Sequence, residues 1–270
     1  MNTITLNATT APVLFIPHGG GPLPLLGDPG HQELVAFLKA LPASFPKPDA
    51  ILVISAHWEE SQPTITGAEQ PGLIYDYYGF APESYQIRYP APGQPVLARR
   101  IKGLLAEAGI AAHIDNERGF DHGMFVPLAL MYPEANIPCV QLSLVKGLSP
   151  AQHIAIGKAI AALKHDNVLI LGSGFSFHNL REFRNGATQD LLNLAFEDWL
   201  AGCLLDTNTE AVAKASALIH WQQAPGAMHC HPREEHLLPL HLCFGAASDA
   251  PARQIFDGHI LGKKSSGWQW

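Results

Sequence analysis

Fourteen histidines stand in a chain of 270 residues that carries only 17 Lys and Arg against 24 Asp and Glu. Imidazole is the commonest protein metal ligand and the side chain that titrates nearest neutral pH, so the histidines decide where chemistry is sought. Seven of them fall in five short segments: IPHGG (Ile16–Gly20), SAHWE (Ser55–Glu59), FDHGMF (Phe120–Phe125), FHNL (Phe177–Leu180) and HCHPREEH (His229–His236). His18 and His57 each follow an apolar run at once, and His178 follows another after a Gly-Ser-Gly turn. In the last segment the spacing His231-x4-His236 is not a one-turn helical pair, so both are not expected on one ion from a single helix face. That segment also misses the HExxH and HxxEH patterns of zinc proteases, which removes the main support for a protease. Each histidine has a structural alternative. His122 could cap a helix starting near Phe125, His229 and His231 could be surface residues, and Glu234 and Glu235 suit the first turn of a helix.

The elements that must position these side chains read as an alternation. Val13–Ile16, Ala50–Ser55 and Val168–Leu171 are short apolar, β-branched runs of the kind buried parallel strands use, and Cys139–Leu144 joins them. Helical patterns cover Gln32–Ala40, Pro95–Ala108, Pro127–Met131, Ala151–Leu163, Asp190–Leu204 and Glu234–Cys243, with Pro232 in the last helix's first turn. Alternating strands and helices predict an α/β fold: a single-domain α/β sandwich around a mostly parallel central sheet. Ligands of such sheets bind beyond the carboxyl ends of the strands, where His18, His57 and His178 stand. Residues 1–12 are expected to form a flexible N-terminal arm and residues 13–270 one catalytic domain. The Pro-, Gly- and Tyr-rich stretch from Gly67 to Gly93 reads as a long ordered loop, a type that is often functional.

Composition excludes several classes of function. With 47% hydrophobic and 15% charged residues the chain is globular rather than disordered. A formal net charge of −7 argues against a general nucleic-acid binder, while a small anionic substrate stays open because charge in a cleft can oppose the global sign. The four cysteines form no CxxC pair, which suits free thiols in a reducing compartment. Neither a signal peptide nor a membrane span is evident. A soluble, cytoplasmic protein is expected, as a monomer or small homo-oligomer.

The stretches LFIPHGG, ILVISAHWE, YDYYGFAPESYQIRYPAPG, RGFDHGMFVPLALMYPEANIPCVQLSL, GSGFSFHNLREF and HPREEHLLPL resemble, in that order, the class III extradiol ring-cleavage dioxygenases. The likeness is to the 4,5-DOPA dioxygenase branch of the LigB-like superfamily and runs from about Val13 to about Ala247. It implies one α/β domain with a metal at the C-terminal strand ends. By residue-for-residue carry-over it implies His18, His57 and His236 as metal ligands. His178 matches the acid–base catalyst, which can also approach the metal as a fourth ligand, and His122 matches a second active-site histidine. Better-studied relatives use a glutamate as third ligand; here a histidine is expected, with Glu235 beside it and His231 nearby. The resemblance further implies Fe(II) for activity, O2 and a small aromatic catechol as substrates, and a semialdehyde product. Three neutral imidazoles leave the metal's charge uncompensated, which favours an anionic chelate such as catecholate. Zinc is expected in purified protein, because it competes well at nitrogen-rich sites, yet it is redox-inert. Arg88 is the candidate partner of a substrate carboxylate, and His231 a further candidate contact to substrate. The rival readings are a zinc-dependent hydrolase and a non-enzymatic metal-binding or interaction protein of the same fold. Oxygen uptake coupled to semialdehyde formation separates the first from a dioxygenase, and a complete proton-relay histidine set argues against the second.

Overall fold

The computed structural model describes residues 10–184 and 189–270, Arg184 by its backbone alone. One eight-stranded sheet organises them. Its strands are β1 (Val13–Pro17), β2 (Ala50–Glu60), β3 (Thr64–Thr66), β4 (His113–Asp115), β5 (Cys139–Val145), β6 (Val168–Gly174), β7 (Arg253–Ile260) and β8 (Lys263–Gln269). They lie in the order β4-β3-β5-β2-β6-β1-β8-β7. The four strands anticipated from apolar runs form the centre, paired in parallel as β5-β2-β6-β1. Such strands are buried on both faces and so read as continuous hydrophobic runs.

The flanking strands had no such signature. β3 and β4 are three residues each, and the antiparallel hairpin β7–β8 at the other edge is largely polar. Its two-residue turn, Leu261-Gly262, has both residues at positive φ. A primed hairpin turn demands that conformation, but leucine rarely marks it in a sequence. The expected arm of residues 1–12 lies outside the described residues up to 9. Ala11 and Pro12, by contrast, are buried, and the Ala11 N–H donates to the Lys164 carbonyl at 2.9 Å, so packing begins before Val13.

Alternate residues of the central strands feed two cores, as the pleat requires. Val13, Phe15, Leu52, Ile54, Val140 and Ile170 face one; Leu14, Ile16, Ile51, Val53, Leu169 and Leu171 face the other. The helices that cover them are α1 (Gln32–Ala40), α2 (Pro95–Glu107), α3 (His122–Met131), α4 (Pro150–Ile160), α5 (Leu180–Arg184), α6 (Leu191–Leu205), α7 (Ala211–Ile219), α8 (Ala227–Cys230) and α9 (Leu238–Ala247). Helices α2, α4 and α9 contribute to the first core, α1 and α3 to the second. Two expected boundaries move. Helix α3 starts at His122, five residues before the Pro127–Met131 pattern. Helix α9 starts at Leu238 with Pro239 in its first turn, so Pro239 rather than Pro232 opens it. His236 therefore sits in the turn that leads into α9, and His231 closes α8.

Candidate metal centre and active site

The strand ends converge as the topology requires. His18 leaves β1 directly, and its N–H donates to the Gly174 carbonyl at 3.2 Å. One residue past the end of β6, the Phe175 N–H donates to the His236 carbonyl at 2.9 Å. One strand end thus brackets two histidines that are 218 positions apart in sequence number. Gly174 permits this, since a Cβ there would run into the His236 carbonyl. His57 lies inside β2, where pairing to β5 is interrupted between Ile54 and Glu59. Such an irregularity re-aims side chains. His178 follows β6, its N–H held by the Cys230 carbonyl at 2.9 Å, and His122 opens α3.

The imidazoles meet at the base of a cavity of about 700 Å³, lined among others by His18, His57, His122, His178 and His236. The His18 and His57 Nε2 atoms face each other at 3.0 Å. Donor atoms of His18, His57 and His236 all lie within 4.8 Å of one another. His236 is 3% exposed, and its Nε2 has no hydrogen-bond partner although it is buried. A buried polar atom without a partner is costly, and a cation removes that cost. Two nitrogens each about 2.1 Å from one ion lie roughly 3–3.4 Å apart, so the His18–His57 separation fits a shared ion. Burial, followed by the electrostatic influence of neighbouring imidazoles, holds the pKa of His18 and of His236 well below the ordinary value; burial, then His122, does so for His57. All three stay neutral at physiological pH, which is the lone-pair form a metal needs.

Tautomers follow from the partners. Pro127 has no N–H, so the Gly123 carbonyl one turn earlier in α3 lacks its helical donor. The Ser173 hydroxyl donates to it instead. That commits the only hydroxyl proton of Ser173, and the 3.1 Å contact to His18 must then run from His18 Nδ1–H to Ser173 Oγ. His18 Nε2 is left with its lone pair toward His57. His122 is fixed by Asp76, whose Oδ1 accepts from both the backbone N–H (3.0 Å) and Nδ1 (2.8 Å) of His122. Burial alone would raise the Asp76 pKa, but the His122 hydrogen bonds outweigh it and the net shift is downward. Buried Asp121 accepts from Ser55 Oγ (2.7 Å) and Gln141 Nε2 (2.6 Å), which ties the start of α3 to the irregular stretch of β2.

A family model described as the catalytic LigB subunit of aromatic ring-opening dioxygenase matches residues 28–263. The chain belongs to this family. Among curated relatives it is 41% identical to a 4,5-DOPA dioxygenase extradiol of Beta vulgaris, covering 80% of this chain and 81% of that one. It is 40% identical to dioxygenase tasH of Hapsidospora irregularis, over 96% of this chain and 85% of the relative. A third relative, the 4,5-DOPA dioxygenase extradiol of Escherichia coli K12, is 34% identical over 90% and 88%. The crystal structure of an uncharacterized Escherichia coli K12 protein superposes with a TM-score of 0.78 at 31% identity, covering 96% of this chain and 99% of that one. The protein is therefore an extradiol-type aromatic ring-opening dioxygenase, and its donor set suits the non-haem metal such an enzyme requires.

In this dioxygenase the five expected histidines 18, 57, 122, 178 and 236 share one cavity. Two other expectations are corrected. Arg88 is exposed and absent from the cavity lining, because Ile87 and Tyr89, not Arg88, turn toward the packed side of the long loop. His231 is fully buried against Phe196 and Trp221, with Nε2 on the Ser176 carbonyl at 2.8 Å, so it does not reach the cavity. Arg233 lines the cavity instead, its two Nη atoms 2.6 and 2.7 Å from the Glu59 carboxylate. Sequence reasoning also missed Asp76, Ser173 and His31. His31 Nε2 accepts from the Gly20 N–H at 2.9 Å, and its Nδ1 contacts Asp28 at 2.7 Å, which fixes the glycine loop behind His18. No sequence signal marked Ser173, because Pro127 opened the expected helix, where a missing N–H deprives no carbonyl; only the earlier start of α3 puts it inside.

Proposed function

We propose that the enzyme cleaves a catechol beside its diol with O2 to give a semialdehyde, with Fe(II) held by His18, His57 and His236. The observation that carries this reading is the convergence of three neutral imidazoles, His57 half-buried and His18 and His236 buried, the last with an orphaned Nε2, beside two further imidazoles in one cavity. When bound, Fe(II) supplies the one-electron chemistry that triplet O2 needs and that zinc lacks. The remaining work falls to the chain. His178 takes a catechol hydroxyl proton and later returns it. His122, its Nδ1–H committed to Asp76, offers Nε2 to the substrate. Tyr77, Phe80, Phe175 and Phe183 line the cavity, pack the ring and exclude water. The names of the Beta vulgaris and Escherichia coli relatives support a DOPA-like catechol. An anionic substituent would meet Arg233, the one Lys or Arg on the described cavity lining.

Among the described residues no helix is long and apolar enough to cross a membrane. The decisive test is an oxygen-electrode screen of catechols after anaerobic Fe(II) reconstitution, with absorbance of the product followed in parallel. Oxygen uptake with a yellow semialdehyde is expected for the iron form only. Equal uptake by a rigorously iron-free zinc form, or none by the iron form, would sink the proposal.

A further inference from the structure

The His178 and His236 rings stack at 3.3 Å between centroids, 13° from parallel. Their Nδ1 atoms turn toward the same carboxylate oxygen, Glu235 Oε1, at 3.0 Å from His236 and 3.5 Å from His178. The second distance is long for a hydrogen bond but within ion-pair range. An ionised carboxylate only accepts, and one oxygen has lone pairs for two donors. The other oxygen of Glu235 faces the Arg233 guanidinium at 3.4 Å, and a guanidinium can only donate, so the carboxylate serves both rings as an acceptor. Both Nδ1 atoms must then carry the proton, and both Nε2 atoms carry the lone pair. We propose that Glu235 is a positioning residue that imposes one tautomer on both rings, so that a single carboxylate readies His236 to bind metal and His178 to accept a proton. This inference rests on the metal site and proton acceptor proposed above. It assigns Glu235 a place behind the rings and not among the ligands.

The carboxylate is braced there. Its other oxygen lies 3.4 Å from Arg233 Nη1, and Arg233 is gripped by both oxygens of Glu59, two residues beyond His57 on β2. The Arg233 contact is an ion pair without a hydrogen bond, and it leaves Oε1 turned to the Nδ1 atoms of both rings. An orienting group behind a base or a metal-bound imidazole works through tautomer, so an isosteric amide should harm it as much as deletion. In Glu235→Gln, Arg233 is donor-only and takes the amide oxygen, which leaves –NH2 facing two nitrogens that must themselves donate.

The test uses the full chain and two readouts. Cobalt(II) titration, followed by visible absorption, measures metal affinity without turnover; kcat and KM of the iron form on a catechol measure proton transfer. Glu235→Gln is expected to weaken cobalt affinity roughly 10–100-fold and to lower kcat about 100-fold or more with KM little changed, at an unaltered melting temperature. A residue that merely packs would tolerate this isosteric change. Wild-type cobalt affinity or wild-type kcat in Glu235→Gln overturns the proposal, as does a loss of both that merely tracks a fall in melting temperature. Should the wild type cleave no catechol at all, the proposed function fails, and the cobalt titration still decides the role of Glu235.

Discussion

Which nitrogen of each imidazole carries its proton is settled by atoms just behind the cavity wall. Ser173 does this for His18 and Asp76 for His122. Ser173→Ala leaves the Gly123 carbonyl and His18 Nδ1 without partners, so cobalt affinity should fall roughly tenfold or more, measurable by titration. Asp76→Asn should cut kcat/KM about 10–100-fold while metal content stays near one ion per chain. His178→Ala should lower kcat about 100-fold or more yet leave binding of a slow catechol analogue within a few-fold; wild-type turnover would remove it from proton transfer. The five histidines were legible because each stands in a distinctive segment. Their orienting partners were not, since a serine in a strand and an aspartate in a tyrosine-rich loop carry no local mark of what they touch.

Two irregular elements make the site: the unpaired stretch of β2 around His57, and the bracket of β6 between His18 and His236. Gly174→Ala tests the second. The new methyl would press on the His236 carbonyl and approach Phe15 Cε2 to 3.0 Å. Overpacking of this kind costs about 1–3 kcal/mol. Urea unfolding should report that loss, and bound metal should fall with it; a variant of normal stability and metal content would show that the bracket is dispensable. The central strands and α1 were readable from apolar runs and helical periodicity. The start of α9 was not, because two prolines compete for one helix start, and only the packing of Leu238 and Leu240 into the core selects Pro239.

Across the whole molecule, protons and metal are linked to folding. Glu197 of α6 is buried without a well-placed hydrogen-bond partner, and burial pushes its pKa up to about 7 despite the nearby Ser176 and Ser266 hydroxyls. The folded state then holds a proton that the unfolded chain releases near the ordinary glutamate value. Stability from this group is complete below that value and is lost as pH rises to about 7, by roughly 3 kcal/mol in all. Glu197→Gln should flatten the dependence between pH 5 and 8 in urea unfolding; an unchanged slope would place the proton elsewhere. Metal that binds the folded state alone adds about 2.7 kcal/mol at a hundredfold excess over Kd, so chelation should lower the melting temperature.

By itself the sequence determined a parallel α/β core, because strands buried on both faces must be apolar throughout, and it determined the histidines, because short segments around them are distinctive. Tertiary structure alone decided the rest: that Arg233 and not Arg88 reaches the cavity, that His231 packs away from it, and which nitrogen of His18 and of His122 is free. Those outcomes depend on contacts between residues far apart in the chain, and hydrogen-bond partners at such separations leave no pattern in local spacing.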